Sequence, residues 1–335
     1  MLRLPLLALL LISTSASAQS PSSLFVDHEP ITLELRGDIH DLLRDRGTQR
    51  KQHAARLRYA VSADTGSIDV KLRTRGIFRL RTCAFPPIRV DFPSHDVAGT
   101  PFAGQNRLKL ATHCQGSGQF ERNLLKEYAL YRVFNALTDT SYRVRLARVT
   151  YVDSARADTV VRYGFLIESE GELARRVGAE VVEQGQVADY ITEPSYMTLV
   201  AVFEYLIGNT DWSVWGRHNI AVLRGSAEPH SLIGVPYDYD FSGAVGAPYA
   251  TPPPQVPIHS VRERYYRGYC QPDSVRDRAL ERFRLAKDSI YAAVRAVPGL
   301  PERDAKSVLD YFDGFFSNPG AVRRDLVQTC RHLPQ

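Results

Sequence analysis

Apolar and polar positions change period several times along the chain. From residue 19 to about 110 they alternate one by one between Gly, Pro and Asp punctuation, the signature of half-buried strands. Strands are predicted at Ile31–Leu35, Ala55–Val61, Ile68–Arg73, Ile88–Phe92 and Arg107–Leu110. The helical period then takes over for Phe120–Leu137. Tyr142–Val152 and Val160–Ile167 read as a strand pair, and Glu170–Val177 as a short helix. The polar stretch Gln184–Thr192 is the predicted lobe boundary. Beyond it Tyr196–Ile207 is apolar enough for a buried helix. Strands Ile220–Leu223 and Leu232–Pro236 follow, joined by a turn at Gly225–Pro229. Pro248–Pro257 is too rich in proline to pair in a sheet, and helices are predicted at 273–296, 302–316 and 319–331. The expected class is α+β: a β-rich N-lobe with one main helix (19–183) and a mainly helical C-lobe (184–335).

Residues 1–18 stand apart. Arg3 precedes the apolar run Leu4–Ile12, and Ala16-Ser17-Ala18 matches a cleavage site, so a signal peptide is expected. The implied compartment is periplasmic or extracellular. No later apolar run is long enough to span a bilayer. The formal net charge of +5 is too mild to argue for a nucleic-acid partner. The arginine-rich stretches Arg73–Arg81 and Arg143–Arg148 alternate with apolar residues and read as strands with one solvated face. Cys83, Cys114, Cys270 and Cys330 suggest two disulfides in an exported chain. Spacing favours Cys83–Cys114 and Cys270–Cys330 among three possible pairings. Without a Cys-x-x-Cys, zinc and dithiol redox chemistry lack support.

Hard oxygen ligands gather in two short segments, Gly208-Asn209-Thr210-Asp211-Trp212 … His218-Asn219 and Pro236-Tyr237-Asp238-Tyr239-Asp240-Phe241. Asp238 and Asp240 would share a face if the strand persists, and two such carboxylates repel unless a cation neutralises them. An Asx-turn at the strand end is the other reading. Asn219 opens the preceding strand, so a hairpin would bring it near the pair, a set suited to Mg²⁺ or Mn²⁺. Asp211 is the candidate catalytic residue, accepting a hydroxyl proton or positioning a nucleophile. His218 reads as a loop-ordering group. Glu127 lies on an apolar helix face and should be paired; Lys109 is a plausible partner, with Lys126 and Lys71 competing. Arg75-Gly76 could cover phosphates from a strand turn, and Arg262, Arg264 and Arg267 could bind an anion. Gly-x-Ser-x-Gly, His-Glu-x-x-His and Walker A patterns do not occur.

With these residues in order, the chain resembles the CotH-type family, named for a spore-coat protein. The resemblance runs over roughly residues 66 to 245. It includes Leu72-Arg73-Thr74-Arg75-Gly76, Pro86-Pro87-Ile88-Arg89-Val90-Asp91-Phe92, Glu121-Arg122-Asn123-Leu124, the two strands that follow, and the Asp211, Asn219, Asp238 and Asp240 set. It implies a bilobal atypical protein-kinase-like fold, with Asp211 as catalytic aspartate and Asn219, Asp238 and Asp240 as metal ligands. Lys109 and Glu127 would hold ATP or another phosphate compound. Two features depart from that pattern: Asp211 and Asn219 are eight residues apart rather than five, and Ile77-Phe78-Arg79 replaces a serine-rich turn. The expected function is Mg-dependent nucleotide binding with phosphoryl transfer, a protein being one acceptor considered. A catalytically inactive envelope or surface binding protein is the alternative, and a metal-dependent phosphoester hydrolase the third.

Overall fold

The computed structural model describes residues 23–93, 97–226 and 231–332; the expected signal peptide and part of the Gly225–Pro229 turn lie outside them. Strand β1 (Ile31–Gly37) buries Ile31, Leu33 and Leu35 and turns Thr32, Glu34 and Arg36 away from the core. It runs antiparallel to β2 (His53–Val61), with Leu35 opposite Leu57. After β3 (Asp64–Thr74), β4 (Ile88–Asp91) and β5 (Arg107–Ala111) come β6 (Val144–Asp153) and β7 (Thr159–Ile167). The seven strands form a closed barrel in the order β1-β2-β3-β4-β5-β7-β6. The closing seam is parallel, β1 on β6, with Leu35 beside Tyr151.

That closure overturns the bilobal kinase-like architecture expected from the sequence. Both edges of β1 are spent, so the sheet wraps round its own core instead of opening onto a cleft. Leu33, Leu57, Val70, Val90, Leu108 and Val149 fill the inside. The alternation in β1 to β3 therefore marks the inside and outside of a barrel, a distinction that period two cannot make on its own.

Helix α1 (Ile39–Arg44) caps the barrel beside β3 and β6, and α2 (Phe78–Thr82) is a short turn of helix between β3 and β4. Helix α3 (Gly118–Leu137) packs on β6 and β7. After α4 (Glu170–Arg176) and β8 (Ala179–Val181), α5 (Pro194–Ile207) leads to a hairpin, β9 (Ile220–Gly225) and β10 (Leu232–Pro236), which with β8 forms a second sheet. Helices α6 (Asp273–Arg295), α7 (Glu302–Phe316) and α8 (Pro319–Gln328) complete the layer, and one apolar core runs from α3 through α5 to α8. None of the described helices is long and apolar enough to cross a membrane.

Helix α5 has clear end signals. Glu193 accepts from the backbone N–H of Ser195 and Tyr196, Pro194 occupies the first turn, and Gly208 ends it at φ 68°. A side chain on Gly208 would run into the Tyr311 hydroxyl as well as straining the backbone. The disulfides are Cys83–Cys114 and Cys270–Cys330, with Cα separations of 4.5 and 4.9 Å. Both arginine-rich stretches depart from expectation: in the first Arg79 is buried on α2, and the second has one inward-facing arginine. Arg145 points inward, 1% exposed, and its guanidinium reaches Asp27 at 2.9 Å.

Candidate functional site

The Asp-x-Asp does not sit on a strand. β10 ends at Pro236, and Asp238 takes a left-handed φ of 66°, so pleat alternation is not what aligns the two carboxylates. A turn does it. The Asp238 N–H donates to the Tyr131 hydroxyl of α3 at 2.9 Å, and the Tyr239 hydroxyl donates back to the Pro236 carbonyl at 2.9 Å. The chain is thereby folded over α3, where Glu127 waits one turn before Tyr131. Carboxylate oxygens of Glu127, Asp238 and Asp240 all lie within 4.8 Å of one another.

A side chain that sequence reasoning assigned to a solvated strand face fills the centre. Arg79 lies on α2 and is only 8% exposed. Its Nη1 and Nη2 donate to Glu127 Oε2 and Oε1, each at 3.2 Å. Nη2 also pairs with Asp238 Oδ1, and Nε lies 3.3 Å from Asp240 Oδ2. The Tyr249 hydroxyl donates to the same Asp240 oxygen at 2.9 Å. Aromatic packing holds the rim, with Phe78 edge-on to Phe241 at 5.0 Å and tilted against Tyr249 at 5.6 Å.

Three acids around one guanidinium cannot all ionise freely. Burial, reinforced by the other two carboxylates and only partly offset by Arg79, pushes Glu127 up to about 8. Burial likewise lifts Asp240 to about 6 against the pull of Arg79. Burial would raise Asp238 too, but Arg79, then Arg75 and Lys109, hold it below its ordinary value. The bidentate contact argues for an ionised Glu127, whereas its burial among two further acids argues for a proton. The raised direction prevails, because one arginine cannot neutralise three anions of which two are buried and the third is partly so.

Lys109 is not the partner of Glu127. Its position on β5, opposite Ile167, carries it toward the start of α4. There it pairs with Glu170 at 3.0 Å and lies 4.9 Å above the Tyr237 ring. Lys126 reaches Asp304 at 3.4 Å, and Lys71 is exposed. Arg75 is anchored by its own N–H donating to the Pro87 carbonyl at 2.8 Å. Burial lowers the pKa of its guanidinium, while Asp238 and Arg79 act on it in opposite senses.

A second constellation adjoins the trio. Asn209 Oδ1 accepts from the Asp211 N–H at 3.0 Å. Paired backbone bonds between Ser213 and His218, each 2.9 Å, close a tight loop. This loop absorbs the eight-residue spacing and returns Asn219 to Asp211. Asn219 Nδ2 donates to the Asp211 carbonyl oxygen at 2.8 Å and to its Oδ2 at 3.1 Å. His218 Nε2 lies 2.9 Å from Asp211 Oδ1, and that bond raises the imidazole pKa. The His218 imidazole thus orders the loop through the Asp211 carboxylate, in addition to its backbone bonds with Ser213. Tyr237 N–H donates to the Asn219 carbonyl at 3.0 Å, tying this loop to the Asp-x-Asp turn. Asp211 is close enough to help raise the Asp240 pKa. Arg217, Asn219 and Asp238 all have left-handed backbone, strain of a kind that clusters at functional sites.

The second anion-binding expectation fails on geometry. Arg262 donates to the Gly243 carbonyl at 3.1 Å, Arg264 to Leu206 at 3.2 Å and Arg267 to Trp212 at 2.8 Å. All three serve as braces for backbone oxygens. Beneath the Asp211 loop, Glu204 is 1% exposed, and the Asn209 side chain acts against burial on its carboxyl without making a well-formed hydrogen bond to it. Burial drives Glu204 up to about 8, and it is held mainly as a neutral acid below that value.

Sequence reasoning missed Arg79, Tyr249 and Glu204, and gave Glu127 to the nucleotide instead of to the acidic pair. A scan against protein-family models finds no match, and a search of the curated proteins finds no significant match.

Proposed function

We propose that the acidic trio is a divalent-cation site, for Mg²⁺ or Mn²⁺, through which the protein binds ATP or another phosphate compound and transfers a phosphoryl group. The observation that carries this reading is the meeting of three hard-oxygen donors within 4.8 Å, with Asp211 and Asn219 one loop away. The donor set suits such an ion, provided the Arg79 guanidinium swings aside. When bound, the ion would neutralise phosphate charge. Asp211, oriented by Asn219 and His218, would accept the proton of an acceptor hydroxyl, since positioning dominates when the transition state is loose. Lys109 and Arg75 supply positive charge on the barrel side for the remaining phosphate oxygens. Kinship with CotH-type proteins is proposed only as far as these acidic and amide residues go, without the bilobal architecture. Export remains part of the proposal and rests on the sequence of residues 1–18 alone.

Calorimetry of the folded protein with Mg-ATP tests the reading. Saturable heat in the wild type and its loss in Asp240→Asn are expected, and no heat from intact wild type would refute it. Arg79 favours a second reading. Because a built-in cation already holds all three acids, the same surface could serve a non-catalytic envelope or surface protein. In that case Asp211→Ala leaves every activity of the protein unchanged.

A further inference from the structure

A groove of about 680 Å³ lies between the segment 25–28, the C-terminal half of α3 and one face of α6. It is separate from the acidic site: Arg132, in its lining, follows Glu127 by five residues and so points about 140° away around α3. Its charged or titratable lining is Arg132, Arg143, His28 and Asp139. Among the described residues neither Arg132 nor Arg143 forms an ion pair. The hydrogen bond that Arg132 makes is to a neutral amide, with Nη1 donating to Asn135 Oδ1 at 3.2 Å. Asn135 is itself fixed by donating to Ser141 Oγ and to the Tyr142 carbonyl, each at 2.9 Å, so Arg132 is held in place.

A half-buried guanidinium without an anion carries an uncompensated desolvation cost. Burial lowers the Arg132 pKa with only Tyr128 acting against it. The positive field extends along the groove: burial, then Arg132, depresses the His28 pKa against the opposing pull of Asp27. The Asp27 carboxylate nearby is taken by Arg145 at 2.9 Å, and Asp139 is exposed and makes no ion pair with either arginine.

The neutral polar lining (Asn135, Thr138, Ser141) sits beside the arginines, and the α6 side is made of small residues. Ser289, Ala292 and Ala293 on α6 and Ala296 at its C-cap follow one another at helical spacing, and Phe25 and Val26 also line the groove. Val26 is 59% exposed, a large apolar side chain left at the groove in contact with water. Two cations without an anionic partner, one of them anchored on Asn135, beside the alanine face of α6 and in a volume typical of small-molecule sites, are complementary to one chemistry. We propose that this groove binds an amphipathic small-molecule anion, its carboxylate or phosphate head at Arg132 and Arg143 and its apolar body along the alanine face of α6.

Calorimetry of the full chain at low salt with decanoate, decyl phosphate and neutral decyl maltoside tests this. Saturable binding of at least one of the two anions is expected, and the comparison between them identifies the head group. Binding should weaken about tenfold in Arg132→Gln and in Arg143→Gln. It should vanish in Ala292→Trp, a surface change that fills the groove with the melting temperature intact. Equal binding by either arginine variant at unchanged melting temperature would overturn the proposal. So would equal binding of the neutral maltoside, failure of both anions to bind the folded protein, or binding of a hexaglutamate peptide in their place.

Discussion

Replacing Arg79 with glutamine removes the cation on which three carboxylates converge. At contacts of 3.2 to 3.3 Å and an effective dielectric of 20, each attraction amounts to about 5 kcal/mol before desolvation. Most of that is offset by taking the ions out of water, but stripping one partner from a buried cluster still costs about 3–5 kcal/mol. The loss should depend on pH. Glu127 and Asp240 already bind protons more tightly folded than unfolded, at about 8 and about 6. Each therefore erodes stability as pH rises from its unfolded value toward its folded one. Without Arg79 both climb further, and Asp238 loses the interaction that holds it low. The penalty should thus approach the full 3–5 kcal/mol near pH 8 and shrink to about 1–2 kcal/mol at pH 5. Urea denaturation of both proteins at the two pH values measures it. Adding about 10 mM MnCl₂ at pH 8 then asks whether the vacated acids take a metal. A dissociation constant near 0.1 mM would restore about 2.7 kcal/mol to the variant. An equal loss at both pH values, with no more response to Mn²⁺ than the wild type shows, would refute both the shared-proton account and the metal reading.

Other outcomes are expected. Lys109→Met should weaken Mg-ATP binding about tenfold by calorimetry while changing Mn²⁺ binding much less, because Lys109 pairs with Glu170 and acts on the trio only through its charge on Asp238. Glu204→Gln removes an acid that titrates at about 8 when folded and near 4.5 when free. The variant should match the wild type at low pH and exceed it by a few kcal/mol at pH 9 in denaturant titrations. Replacing Cys270 and Cys330 with serine opens a loop of sequence separation 60, and about 4 kcal/mol is the most that chain entropy can cost; a lower melting temperature under non-reducing conditions checks it.

Local patterning announced most elements but not how they assemble. The helix at 120–137 and the buried helix before Gly208 came through, because long apolar periodicity and end signals are local properties. Barrel closure was invisible, since β1 meets β6 across more than a hundred residues and nothing within β1 encodes that partner. At the site, Asp238 and Asp240 were legible as a pair, yet for the wrong reason: a left-handed turn anchored on Tyr131 aligns them. Arg79 was hidden by its neighbours. The alternation of arginines with apolar residues around it imitates a strand, while Gly76 at φ 93° and the five-residue α2 turn it inward. Glu127 could have been found from its demand for a partner; only tertiary contact decides between a lysine eighteen residues upstream and an arginine forty-eight upstream.

The seam between β1 and β6 has a consequence for how the chain comes into being. During synthesis β1 emerges early and finds β2 almost at once, but its other edge must wait until residue 153 is out of the ribosome. Throughout that interval a row of unsatisfied N–H and C=O groups lies open to any neighbouring nascent strand. Such a distant pairing is slow to form, so the barrel's weakest moment belongs to the unfinished polypeptide. A factor shielding that edge would act on the yield before the core exists to be perturbed.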